Sequence, residues 1–271
     1  MKFKKARKIF RLLFPKRISE TQLFENKLRS NILIKNFVLI QDKYEIELLN
    51  GVKLFLRNQN HSDYEVFVQI FNFEEYKLIV SILKSNPKFN NSNNILIDAG
   101  ANVGFTTNYF INEGVFSDVY CIEPSLDNIS ILKQNIQFIK NKCSIKIYRR
   151  ALTGKENLRY NLHNNFRSRK DWAISVEEDP KGLVEGITIN EIILQNNIKT
   201  ITLLKIDIEG AERFIFDTKN DLSFLNNVKI IAIEIHDEFD VRESIYLILL
   251  QYDFFIFESG ELTIGLNRKY I

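Results

Sequence analysis

Five short apolar runs, most of them stopping at a charged or polar side chain, constrain this chain more than anything else in its 271 residues. They occupy residues 94–98, 119–123, 144–148, 201–207 and 228–236, and four of them end on Asp98, Glu123, Asp207 and His236. Helix-like segments lie between most of them, including 126–140 and 211–217. Short apolar runs alternating with helices are strands of a parallel sheet buried on both faces. A core strand has no use for a charge at its end, so the polar termini make a rim along one edge of the sheet. In open α/β sheets ligands bind at that edge, beside the point where strand order reverses. The expected fold class is α/β, a Rossmann-like, mostly parallel sheet with helices on both faces.

The sharpest local signal is the turn after the first run, Asp98-Ala99-Gly100-Ala101-Asn102-Val103-Gly104. Gly100 permits a tight turn off the strand, and Gly104 lets the following helix pack close. A full Gly-x-Gly-x-x-Gly would set a pyrophosphate on the helix N-terminus. Here Asn102 stands where the middle glycine would be, which counts against NAD and FAD. The spacing suits a ligand without phosphates, its amino-acid end held by backbone groups and a carboxylate such as Asp98. Glu123 follows at the interval expected of an acid on ribose hydroxyls.

Upstream, residues 44–49 and 52–57 alternate as strands around Asn50-Gly51, a hairpin signal because both positions can take positive φ. Residues 63–71, with Ser62 or Asp63 as N-cap, and 74–83 have helical patterns. The Asn- and Ser-rich stretch 87–94 is the best boundary. It divides the chain into a basic arm (1–30), a small β-hairpin with a helical extension (31–90) and a ligand-binding domain (91–271). Residues 254–258 and 261–266 have the shape of a closing hairpin. The polar stretch 164–181 carries Arg167, Arg169, Lys170 and the only Trp, Trp172. It reads equally as a loop over a ligand, with the indole as a platform, or as a surface excursion.

At 45% hydrophobic and 26% charged residues, the chain has enough apolar mass for a substantial core. Its net charge of +3 is unevenly placed. Eight of the 37 Lys and Arg fall in the first 17 residues without one acid, leaving 29 against 34 acids elsewhere. A nucleic-acid binder needs a basic face, and the sequence of the body reveals none. The arm lacks the apolar run and cleavage site of a signal peptide, and nothing approaches the roughly 20 apolar residues of a membrane span. A cytoplasmic location is expected. The arm either touches an anionic membrane surface or belongs to the body. Cys121 and Cys143 read as buried, reduced thiols. The oligomeric state is left open.

Three segments together resemble the FkbM-type methyltransferases. Ile97 to Gly104, with its unusual Asn102, is similar to that family's first cofactor motif. Leu204-Lys205-Ile206-Asp207-Ile208-Glu209-Gly210-Ala211-Glu212 resembles its most distinctive signature, and Ile233-Glu234-Ile235-His236 its next strand. The segments 62–67 and 74–76 are similar to members with an N-terminal extension, so the resemblance spans roughly residues 55–240. It implies a seven-stranded fold that binds S-adenosylmethionine. The implied activity is mainly O-methylation of sugars, polyketides and other natural-product hydroxyls, with a small-molecule or glycan acceptor and no nucleic acid.

On this reading Asp98, Gly100, Asn102, Gly104, Glu123 and Asp207 hold the cofactor, and Asp207, His236 and Glu209 are the catalytic candidates. An activated methyl donor needs alignment with its nucleophile, and a hydroxyl nucleophile needs a base. His236, with an ordinary pKa near 6.5, and Asp207 are alternatives for that base, the other orienting it. Glu209 stays open, and Glu212 reads as a complement to a helix dipole. Asp207, His236 and Asp237 are the one set that could converge on a metal ion; no spacing requires it, and none is expected. The rival readings are a non-catalytic scaffold and a dinucleotide-dependent oxidoreductase. The intact Asp98, Gly100, Gly104, Glu123 and Asp207 oppose the first, and the missing glycine the second. A base-flipping nucleic-acid enzyme would carry an Asn- or Asp-Pro-Pro-Tyr type pocket, and none is present.

Overall fold

A computed structural model describes residues 18–89, 93–139, 141–163 and 175–271. Most of the basic arm, together with Arg167, Arg169, Lys170 and Trp172, lies outside the described residues.

Helix α1 (Glu20–Ser30) opens on a capping box between Ser19 and Gln22 and buries Phe24 and Leu28. Three antiparallel strands follow, β1 (Ile34–Ile40), β2 (Lys43–Leu48) and β3 (Lys53–Arg57). The expected hairpin is β2–β3, but only Gly51 of its turn takes positive φ. Strand β1 has no counterpart in the sequence reading, because its largely exposed side chains show no alternation. Helix α2 (Asp63–Phe67) runs into a π-helical turn, Val68–Asn72, before α3 (Lys77–Ser85). Ser62 occupies the expected N-cap position, but without the hydrogen bond of a cap. The Asp63 carboxylate receives Nε, Nη2 and the backbone N–H of buried Arg57.

The main body begins with β4 (Ile95–Ala99), α4 (Phe105–Asn112), β5 (Asp118–Ile122), α5 (Leu126–Ile136) and β6 (Ser144–Tyr148). Four short strands then make a separate small sheet: β7 (Ala151–Leu152), β8 (Arg159–His163), β9 (Ser175–Glu178) and β10 (Val184–Ile187). Thus the end of the stretch read as loop, Ser175–Glu178, pairs with β8 as a strand. After α6 (Ile189–Asn196) come β11 (Ile201–Ile206), the single turn α7 (Glu212–Ile215) and β12 (Val228–Glu234). Helix α8 (Arg242–Gln251), β13 (Phe254–Ser259) and β14 (Leu262–Asn267) close the chain, the last two as the expected hairpin.

The central sheet has seven strands in the order β13-β14-β12-β11-β4-β5-β6, with β14 antiparallel to its neighbours and the other strand pairs parallel. Strand order reverses between β4 and β11, which fixes the ligand edge at their carboxyl ends. Alternate residues split between two cores, as period-two geometry requires. Leu96, Leu203 and Ile230 pack under α4 and α5, whereas Ile97, Leu204 and Ile231 pack against α6 and α8.

The first of these cores also holds Phe24, Ile46, Leu56, Phe67 and Ile79 from the N-terminal elements. Extension and sheet therefore share one apolar interior across residues 87–94. Buried Asn135 of α5 adds a polar stitch. Its Oδ1 accepts from the Phe55 N–H at 2.6 Å, and its Nδ2 donates to the carbonyls of Phe55 and Val103 at 3.2 and 2.8 Å.

Candidate active site

The turn after β4 is shaped by three left-handed residues, Gly100 (φ +78°), Asn102 (φ +49°) and Gly104 (φ +82°). A Cβ on Gly100 would run into the backbone carbonyl of Asp207, so glycine is needed where the ends of β4 and β11 come together. Asn102 tolerates the left-handed region better than most side chains, and its N–H donates to Glu123 Oε2 at 2.9 Å. At Gly104 a Cβ would press on Leu132 of α5 at 3.1 Å, which accounts for the second glycine through close helix packing.

Beneath the turn lies Lys205, 1% exposed. Its Nζ donates to the carbonyl of Gly100 at 2.9 Å and reaches Asp98 Oδ1 at 3.3 Å and Asp207 Oδ2 at 3.4 Å. Burial alone would lower the Lys205 pKa, but the charges of Asp207 and Asp98 outweigh it and hold the ammonium protonated. Asp98 itself is fully buried, and its Oδ2 accepts from Thr107 at 2.6 Å. It does not line the cavity above the turn, and neither does Gly104. This corrects the expectation that Asp98 meets the ligand directly: its charge is spent on the lysine that holds the turn.

The cavity, about 250 Å³, spans the strand ends of the switch point. One flank is the turn, with Glu123 and Asn128 beside it. Glu123 accepts from the N–H groups of Asn102 and Ser125, each at 2.9 Å, and from Asn128 Nδ2 at 3.3 Å. Burial raises its pKa against these hydrogen bonds. Two buried oxygens here, Asn102 Oδ1 and Asn128 Oδ1, have no partner among the described residues. They are acceptors waiting for donors.

The other flank gathers Asp207, Glu209, Glu234 and His236 from β11, β12 and the turns after them. His236 lies two residues beyond β12 and is 3% exposed. Its Nδ1 is 3.0 Å from Glu212 Oε1, which also accepts its backbone N–H at 2.8 Å, and its Nε2 faces Glu209 Oε2 at 3.4 Å. Burial alone would lower its pKa, yet the hydrogen bonds to Glu209 and Glu212 hold it up at about 10. The ring is an imidazolium at neutral pH, so the expectation of a base with an ordinary pKa does not survive. Glu212 stands in the first turn of α7, where a carboxylate complements the helix dipole, and it is also fully buried as the counter-charge of His236. Glu234 is pushed up to about 9 by the Asp207 charge and by burial, and stands protonated at neutral pH.

Asp237 is outside this group. Its carboxylate is bound by Arg242 at 2.6 and 3.0 Å. Among the described residues no three His, Cys, Asp or Glu side chains gather as a metal site. Buried Cys121 contacts Thr107 at 3.3 Å and stays a thiol, its pKa raised by burial. No helix among the described residues is long and apolar enough to cross a membrane.

The cavity roof comes from the N-terminal extension, which supplies Val66, Gln69, Ile70, Glu75 and Tyr76. Sequence reasoning assigned none of these to the site. It also passed over Lys205 and Glu234, although Glu234 ends an apolar strand and carries the same signal that singled out Asp98.

A Rossmann-like sheet with a non-dinucleotide turn, an acid at the ribose position and a polar second flank defines a methyltransferase-type site. Residues 98–256 match the methyltransferase FkbM domain, and the chain belongs to that family. Its cofactor is S-adenosylmethionine, as the resemblance implies. No curated protein matches the sequence. Among solved structures, it is similar to a candidate methyltransferase from Streptococcus mutans in complex with S-adenosylhomocysteine, at 9% identity and TM-score 0.42, covering 70% of this chain and 96% of that one. A candidate caffeoyl-CoA O-methyltransferase from Staphylococcus aureus is 14% identical at TM-score 0.41, covering 70% and 81%. A methyltransferase from Geobacter sulfurreducens is 13% identical at TM-score 0.39, covering 70% and 77%.

The residues present fit this cofactor. The unpartnered Asn102 and Asn128 oxygens beside Glu123 would accept from ribose hydroxyls. Gly100→Ala tests the turn. Alanine at φ +78° costs about 1–2 kcal/mol in the backbone, and its methyl forces β4 and β11 apart. A loss of S-adenosylmethionine affinity of about tenfold or more is expected in calorimetric titration. Unchanged affinity would mean that the strand ends yield.

Proposed function

We propose that this protein transfers the methyl group of S-adenosylmethionine to a hydroxyl of a sugar, glycan or natural-product acceptor. The observation that carries the reading is one cavity joining the cofactor turn to a flank of carboxyl groups beside the switch point, under a roof from the extension. When bound, the cofactor supplies an electrophilic methyl on a sulfonium, so the protein has to orient it, exclude water and handle the acceptor proton. Asn102, Glu123 and Asn128 would take the ribose, and Lys205 holds the turn in register with Asp207. The imidazolium of His236 fixes Glu209 and Glu212 and partly offsets their charge. The cytoplasm is the proposed site of action, a small molecule or glycan the proposed partner, and the basic residues 1–17 a proposed contact with anionic membranes.

Calorimetric titration with S-adenosylmethionine and separately with NAD tests the donor. Saturable binding of the first alone is expected, and binding of NAD alone would overturn the reading. Transfer from methyl-labelled donor to p-nitrophenyl glycosides, against matched amines, then tests the acceptor. Labelling of amines only would replace O-methylation by N-methylation.

A further inference from the structure

We propose that Glu75, carried by the N-terminal extension, is the base that takes the acceptor's proton. This assignment rests on the O-methyltransferase reading above and names the residue that reading lacks.

The partners of the other cavity groups carry the argument. Asp207 is ion-paired to buried Lys205 at 3.4 Å. Glu123 has both oxygens occupied by protein donors. His236 has each ring nitrogen facing a carboxylate, Glu212 at 3.0 Å and Glu209 at 3.4 Å, so neither is open to receive a proton. Glu209 is committed to that same imidazolium. Glu234 is already protonated at neutral pH, held so by Asp207 and burial. Glu261, on the turn between β13 and β14, is exposed at the mouth.

Glu75 differs from all of these. It is half-buried on the cavity wall, its Oε1 accepts from Gln69 Nε2 at 2.8 Å, and its Oε2 takes no hydrogen bond among the described residues. Gln69 also donates to Glu261 Oε2 at 3.3 Å, so one amide from the π-helical turn positions Glu75 and ties the roof to the C-terminal hairpin. π-Turns are frequent at functional sites, because the extra residue re-aims side chains.

The charges around Glu75 set its basicity. Burial raises its pKa, with Asp207 and Glu261 adding to the rise, while Gln69 and Lys205 oppose it, and the balance falls at about 7. A base is most effective when its pKa lies near the working pH. In the step itself the acceptor oxygen's lone pair forms the new C–O bond. The donor's C–S bond breaks with its pair left on sulfur, and the hydroxyl proton passes to the Glu75 carboxylate and then to solvent.

The test uses the full chain, Glu75→Gln and Glu75→Asp. Carboxyl-¹³C glutamate NMR of the wild type should show one group titrating near pH 7 that is missing from Glu75→Gln. Glu75→Gln should bind S-adenosylmethionine within about threefold of wild type. Its methyl transfer to p-nitrophenyl glycosides should fall by about 10²–10⁴-fold, the usual worth of a general base, and lose the rise in rate with pH through 7. Glu75→Asp should restore that rise at a lower rate.

A Glu75 that titrates below pH 5.5, or a Glu75→Gln variant with wild-type turnover, would overturn the assignment. Failure of the wild type to bind S-adenosylmethionine would instead sink the methyltransferase reading beneath it. Donor binding with transfer to amines alone would remove the hydroxyl acceptor and the base together.

Discussion

Lys205→Met is expected to destabilise the protein by about 3–5 kcal/mol, the usual cost of removing one member of a buried ion pair. Methionine keeps the length and apolar stem of the side chain, so packing changes little. What is lost is the cation between Asp98 and Asp207, together with a donor to the Gly100 carbonyl. Two carboxylates are then left facing each other at the switch point, one of them wholly buried. S-adenosylmethionine affinity should fall by two orders of magnitude or more, because the turn loses its anchor. Lys205→Arg, which keeps the charge but not the compact ammonium, should recover part of the stability and less of the binding. Urea unfolding and calorimetric titration read both quantities. A Met variant within 1 kcal/mol of wild type would mean that the site does not depend on this charge.

His236→Ala should be comparably damaging, and the loss should depend on pH. Removing the ring strands the fully buried Glu212 carboxylate without a cation, again a penalty of about 3–5 kcal/mol. The wild type provides the sign. Its imidazole pKa is about 10 when folded, against an ordinary 6.5, so folding favours the protonated ring. That stabilisation is fully present below pH 6.5 and drains away as pH climbs towards about 10. Wild-type protein should therefore unfold more readily at pH 9.5 than at pH 6.5, and His236→Ala should show a flatter dependence across that window. Thermal melts at a series of pH values decide it. Parallel curves for the two proteins would show that the ring is not a buried cation.

Several positions were legible in the sequence because strand ends carry unmistakable chemistry. Asp98, Glu123 and Asp207 each close an apolar run, and the parallel sheet brings those ends together whatever the loops do. Their roles were harder to read. An acid at a strand end points either into the ligand cavity or under the turn, and the choice for Asp98 depends on Lys205, its register partner on the neighbouring strand but 107 positions along the chain. A lysine inside an apolar run reads as an interruption until its partners are known. His236 lines the cavity at the end of its apolar run, but its protonation state depends on Glu212, buried at the start of α7. Glu75 and Gln69 gave no local signal. They reach the cavity because Phe67 and Ile79 pack into the same core as α4, and contacts between such distant segments leave no periodicity to detect.

The side chain of Asn135 ties the extension to the cofactor turn. One amide grips β3 of the extension and the backbone of the cofactor turn at Val103. A shortened protein starting at the main sheet would not merely lack its roof. It would leave Asn135 half-satisfied beside the turn that binds the donor, and it would bare the apolar face now covered by Phe67 and Leu56. Grafting the extension of one relative onto the sheet of another would meet the same obstacle unless the asparagine travelled with it. The first third of the chain and its cofactor turn are therefore one mechanical unit.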